Sequence, residues 1–492
     1  MSRDTWVDVV VDDLEASASE ADHYGAIYSG DLDEIWSSAR LARAAARAGA
    51  ELELNLAARI VDAALNRLTI TGVGDDEVIG ALWDRNDLRF EHIEAHRWTL
   101  VHGHGALVVW PADPDGPADE VDIVFHPATE LVVHRDPEDA RIVDWAARSF
   151  VDRSGRDRLV VWTDAGVARL ARQGVDAPWV PVDAAGTELA GPLTTIGAMG
   201  VDPVEGVDRL IEADLADPHD LARVPVFELR TRHPRGVSDL ATAAGPQALI
   251  AKLVAADAAV IEFASFPQRY FLLDPATASG DFGDFDDISD PVTPGATAGS
   301  GSELTSLTAG PGELWTVTAR EAGQFDPARA AEFIERLEFY ARHMAAASST
   351  PVHELRGQPP SGEALRAADE PLVRRVRDRQ ARFEATWRDA LTFAADLVDP
   401  GADHPVEITW SPAEFVDRAE ALDEAERKVR LGVPPAEVLV ELGYERETVE
   451  GWIAAASQGD TRDIALTLAA MSDQPPVDTA ELRAMLGLAT GG

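Results

Sequence analysis

The chain has 492 residues, no cysteine, an apolar fraction of 46% and a formal charge of -44 from 43 basic and 87 acidic side chains. That length predicts two to four structural units rather than one core, and the missing cysteines exclude disulfides and thiolate metal sites. An excess of acid this large argues against a protein that grips nucleic acid by neutralising phosphates, and no apolar run approaches the ~20 residues of a membrane helix, so neither a membrane span nor a secretory leader is expected.

Taken in chain order, residues 31–68 place Ala, Leu and Arg at helical spacing and end in the extended Leu68-Thr69-Ile70-Thr71. A second helical stretch is predicted over 76–100, carrying Ile79, Leu82, Trp83, Ile93 and Trp98. From Ala106 to Phe227 the pattern changes to short β-rich runs such as Leu107-Val108-Val109-Trp110 and Leu159-Val160-Val161-Trp162, separated by Asp, Gly and Pro clusters. This predicts a mixed unit with mostly antiparallel strands.

Gly245-Pro246 opens a helix to about Phe263 with an apolar face of Leu249, Ile250, Leu253, Val254, Val260 and Ile261. Residues 266–325, rich in Gly, Ser and Thr between Pro294 and Gly312, predict a small projecting domain with a mobile loop. Asp326-Pro327 starts the next helix, with Phe333, Leu337, Tyr340 and Met344 on one stripe to about Ala347. Ser348-Ser349-Thr350-Pro351 stops it, and the three prolines and one glycine before Ser361 predict a loop. Ser361 caps a long helix whose Leu365, Leu372, Val376, Phe383, Trp387 and Leu391 share a face, with Pro371 placed to kink it. Ser411-Pro412-Ala413-Glu414 opens a helical C-terminal region broken at Gly432 and Gly443.

Catalytic signals are missing. There is no Gly-x-Ser-x-Gly turn after a strand, and neither Lys252 nor Lys428 is followed by Ser or Thr as a phosphate-binding loop requires. His92, His96, His102 and His104 lack the Glu placement of a zinc protease and read as structural. Asp281, Asp284, Asp286 and Asp287 lack calcium-loop spacing and read as solvated carboxylates. No catalytic residue, metal ligand or cofactor is assigned. The cluster Arg374, Arg375, Arg377, Arg379 and Arg382 stands out in so acidic a chain; Arg375, Arg379 and Arg382 share a helix face that suits a solvated surface, a neighbouring subunit's acids or phosphate.

The order of these elements resembles the portal proteins of tailed bacteriophages, of the siphophage type. Pro234-Arg235-Gly236-Val237-Ser238-Asp239-Leu240 resembles the family's entry to its first stem helix, and Phe266-Pro267-Gln268-Arg269 its exit into the clip. Pro311-Gly312-Glu313-Leu314-Trp315 and Gln324-Phe325 resemble the clip's return, while Thr350-Pro351-Val352-His353-Glu354-Leu355 and Pro360-Ser361-Gly362-Glu363-Ala364-Leu365 are similar to the tunnel loop and the helix after it. Leu431-Gly432-Val433-Pro434 and Leu442-Gly443-Tyr444 look like the crown.

The resemblance implies an α+β portal fold. Its parts would be an N-terminal region and mixed α/β wing (1–235), a first stem helix (236–265), a small α/β clip (266–325), a second stem helix (326–348), a tunnel loop (349–362), a long wing helix (363–410), and a helical crown and tail (411–492). It implies a non-enzymatic ring, usually a dodecamer, at one capsid vertex, conducting double-stranded DNA in packaging and ejection. The partners would be terminase, a head-tail adaptor, and major capsid and scaffolding proteins, with the host cytoplasm as the place of assembly. Thr350, Pro351, Val352, His353, Glu354, Leu355, Arg356, Gly357 and Gln358 would then face the DNA channel, and Arg374, Arg375, Arg379 and Arg382 a subunit interface or DNA. Another head-tail or capsid component is the alternative, a hydrolase the more distant one.

Overall fold

The computed structural model describes residues 5–31, 54–111, 120–193, 202–219, 221, 223–265, 269–272, 321–324, 330–357 and 362–413, and, in a separate C-terminal unit beginning at Glu414, residues 414, 424–425, 427–441, 444, 446 and 449–452. The first unit begins with helix α1 (Trp6–Ser29), which no expectation from the sequence covered, then α2 (Ala57–Leu65), strand β1 (Ile70–Gly72), α3 (Glu77–Arg85) and α4 (Leu88–His102). Strands β2 (His104–Pro111), β3 (Val121–Pro127), β4 (Leu131–Arg135), β5 (Val143–Val151), β6 (Asp157–Trp162), β7 (Gly166–Arg172) and β8 (Val180–Pro181) follow. After them come α5 (Pro203–Glu212), β9 (Asp217–Pro218), β10 (Val226–Arg230), α6 (Ala244–Ser265), β11 (Arg269–Leu272) and β12 (Glu321–Gln324). The unit closes with α7 (Ala330–Ser348), α8 (Val352–Arg356), α9 (Gly362–Val398) and β13 (Thr409–Trp410); the C-terminal unit contains α10 (Pro435–Glu441).

Because successive strand residues point to opposite faces, the sheets build layers. The three-stranded antiparallel sheet β10-β2-β3 turns Leu107, Val109, Ile123, Phe227 and Leu229 toward the helices, in one core with Phe383, Trp387 and Leu391 of α9. Its other face, Ala106, Val108 and Val226, packs on Leu131, Ala146, Trp162 and Val167 of a larger sheet ordered β4-β5-β6-β7-β8, with β9 beside β7. The far face of that sheet, with Trp145, Leu159, Val161 and Leu170, is covered by α1 and α5. The mixed, mostly antiparallel unit expected over 106–227 is therefore present, as two stacked sheets.

Several expectations are corrected. The stretch 76–100 is two helices, because Asn86 donates to Leu82 O at 2.9 Å and Val121 O at 3.1 Å and accepts from Ile123 N at 2.9 Å, diverting the chain toward β3 at Asp87, whose φ is 50°. α1 starts with a capping box between Thr5 and Asp8 and buries Trp6, Val7, Val10 and Leu14. Trp6 lies against Gly206 of α5, where an added Cβ would come within 2.5 Å of the ring. On α6, Ile250 is buried but Leu249 is 47% exposed, and Gln247 caps α2 by accepting from Leu56 N and Ala57 N at 3.1 Å. Of the expected clip, the antiparallel pair β11-β12 is described; the Gly/Ser stretch 294–312 and the acidic run 281–287 lie outside the described residues, as do residues 32–53.

Candidate functional site

Two sequence motifs, Gly236-Val237-Ser238-Asp239 and Thr350-Pro351-Val352-His353, lie at the junction of α4, α6, α7 and α9. Gly103 ends α4 in the left-handed region (φ 94°), where glycine is favoured, and a Cβ there would meet Val237 and Ser238 backbone at 2.7 Å. From the other side, a Cβ at Gly236 would lie 2.2 Å from Gly103 O. Backbone thus meets backbone, and the contact is sealed by Thr231 N donating to Gly103 O at 3.0 Å and Asp239 N to Leu100 O at 3.0 Å.

Asp239 then meets the arginine helix. Arg379 donates to Asp239 Oδ1 at 2.9 Å and to Thr231 O at 2.6 Å, with both side chains 5% exposed. Arg375 donates to Ile60 O at 3.0 Å and to Ser348 O, and lies 3.9 Å from Asp239; burial pushes its guanidinium below the ordinary value while Asp239 opposes that shift. Arg375 and Arg379, expected at a subunit interface or on DNA, are instead committed within the chain. Each donates to backbone carbonyls of segments far away in the chain. Arg374 and Arg382 remain exposed, paired with Glu370 at 2.8 Å and Asp378 at 2.9 Å.

The expected loop after α7 is ordered at its start. Ser349 turns left-handed (φ 54°), Thr350 N donates to Ala345 O at 3.0 Å, and Ser348 Oγ donates to Met344 O at 2.8 Å. Val352–Arg356 then form the turn α8, closed by Gly357 at φ 68°. Prolines on both sides limit the helix to one turn, and its amphipathic spacing buries Leu355. Ion pairs fasten it: Arg67 to Glu354 at 3.5 Å and Arg356 to Glu338 at 2.7 Å, while Arg67 also reaches Asp369 at 3.2 Å and His353 lies 3.3 Å from that carboxylate. Thr350, Pro351 and Leu355 are buried, Val352 is 37% exposed, Gly357 is exposed, and Gln358 lies outside the described residues. A cleft of about 550 Å³ opens beside this turn, bounded by Arg342, Ala345, Thr350, Val352 and Pro371.

His92 and His96 have structural partners. His92 hydrogen-bonds Leu88 O at 2.7 Å through Nδ1 and accepts from Ile70 N at 3.1 Å through Nε2. His96 does likewise with Leu68 O at 2.8 Å and Trp387 Nε1 at 2.9 Å, and burial pushes its pKa down to about 3. All four ring nitrogens are thereby used. Arg67, Asp369 and Gln247 escaped the sequence reading because their partners lie far away in the chain, and no local spacing announces them.

The protein-family model described as "Phage portal protein, SPP1 Gp6-like" matches residues 316–450, a span that contains α7, α8, α9 and the arginine cluster. The "Portal protein" of Mycobacterium phage D29 is 25% identical over 418 residues, covering 80% of this chain and 77% of the relative. The "Portal protein" of Mycobacterium phage L5 is 23% identical over 415 residues, 80% and 76%. A chain of the solved structure "Virion of native gene transfer agent (GTA) particle" aligns over 83% of this chain and 95% of its own length at 15% identity and a TM-score of 0.39, too loose a likeness to argue from. The resemblance read from the sequence is borne out.

Proposed function

We propose that this chain, which carries the phage portal family's signature over residues 316–450, is a portal subunit: one copy of a ring at a capsid vertex through which double-stranded DNA enters and leaves. The observation that carries the reading is the coincidence of that matched span with the junction just described, together with two relatives named portal protein over 80% of the chain. The ring is a dodecamer docking terminase on one side and a head-tail adaptor on the other, among capsid and scaffolding proteins, and it performs no covalent chemistry of its own. Negative-stain microscopy of the purified protein tests this. Rings with a central hole are expected, and a population of monomers alone would overturn it.

Within that ring the segment 349–362 faces the DNA. The buried anchoring of Thr350, Pro351 and Leu355 leaves Val352, Arg356 and Gly357 among the exposed positions of its described part, and the duplex meets the segment from Gly357 on. Replacing residues 357–361 by a Gly-Ser segment of equal length is expected to leave rings intact and lower the yield of DNA-filled particles; an unchanged yield would remove the assignment. The charge of -44 supplies the wall with a repulsion for phosphate that keeps DNA sliding rather than dwelling. A ring whose channel surface mapped as predominantly basic would contradict this.

A further inference from the structure

One patch runs against the charge of the whole chain. Glu228 is shared between Arg135 at 2.9 Å and Arg230 at 3.3 Å, and Arg230 feels the positive charge of Arg382. Next to these, a cleft of about 450 Å³ is bounded by Arg232, Asp239, Arg375, Asp378, Arg379 and Arg382. On its floor Arg375 Nε faces Asp239 Oδ2 at 3.9 Å, and Arg379 Nε is buried with no hydrogen-bond partner. Arg232 lines the cleft and is exposed, Arg235, three residues on in the chain, is exposed too, and among the described residues neither makes an ion pair. The guanidiniums here therefore outnumber Glu228, Asp239 and Asp378, in a chain where acids outnumber bases two to one.

A surplus of forked, planar donors is suited to carboxylate or phosphate. We infer that this cleft receives carboxylates from the surface of an adjacent copy of the chain, locking neighbours in the ring; the inference rests on the ring reading above. Copies that each carry -44 repel one another, and screening confines that repulsion to about 10 Å at ordinary salt, so a local cationic patch at the contact is where it is offset.

The test is R232E/R235E, which reverses two exposed charges and leaves the buried Arg375 and Arg379 in place. Ring formation is followed by light scattering against protein concentration and sodium chloride, with R153E as control, because Arg153 is exposed in the turn between β5 and β6. The double variant is expected to keep the wild-type melting temperature, to need an about tenfold higher concentration to form rings, and to lose rings at lower salt, with R232Q/R235Q intermediate. Rings that form as in wild type would overturn the inference, and would do so equally if DNA retention alone fell, since that assigns the patch to phosphate. Absence of rings in the wild type would remove the portal reading itself, which keeps the two failures distinct.

Discussion

Around α9 the interior is partly polar: His92, His96, Asp239, Asp369 and Arg379 are all nearly inaccessible, and each reaches a named partner in a distant segment. Beneath α1 the larger sheet is closed by Trp6, Trp145, Leu159, Val161 and Leu170 packed on one another. Burial of apolar area stabilises the second region without preferring one arrangement strongly, whereas a buried ion pair contributes little net energy but is costly to mismatch. The junction at α9 thus trades stability for a defined geometry, where the portal-family signature lies.

The sharpest way to break that contrast is Arg379→Met. Removing one partner strands Asp239, so a loss of about 3–5 kcal/mol in urea unfolding is expected, with exchange protection falling first over 231–243. A cost below that of a surface arginine would mean the pair is not what fixes the junction. In the sheet region, Leu159→Ala, at a position 1% exposed, is expected to cost about 2–4 kcal/mol and to leave exchange around α9 unchanged. Acid should separate the regions further. His96 is neutral in the fold, pushed down to about 3, while an unfolded histidine takes its proton near 6.5. Its contribution is complete above that value and is lost as pH falls from there toward 3, on the order of 2 kcal/mol by pH 5; His96→Phe should flatten the pH dependence measured by urea midpoints. The smallest effect is expected from Thr5→Ala, which removes one side of the capping box of α1 and should cost about 1 kcal/mol, seen as earlier fraying near Trp6.

What could be read in the sequence followed what is local. The helices α6 and α7, the long α9 with its face of Leu372, Val376, Phe383 and Trp387, and the strands after Ala106 were legible because their periodicity is set within a few turns or pleats. α1 was legible in principle, through the Thr5–Asp8 box and the spacing of Trp6, Val10 and Leu14, but its acidity concealed it. The arginine cluster was visible, its direction was not: whether Arg379 faces outward depends on Asp239, 140 residues away. The turn α8 was hidden for a related reason, since prolines on both sides announce a break while the ion pairs to Arg67 and Asp369 that order it are set by tertiary contact.

In mechanical terms α9 is a beam. Its 37 residues extend about 55 Å, and Arg379 and Trp387 pin it near the middle to Thr231, Asp239 and His96. From Leu372 to Ala395 the beam is bedded in the core, and Pro371, which has no N–H to give the helix, sits just outside that bedding toward the Gly362 end. A change at the Gly362 end is thereby tied, through one continuous helix, to residues as distant as Val398.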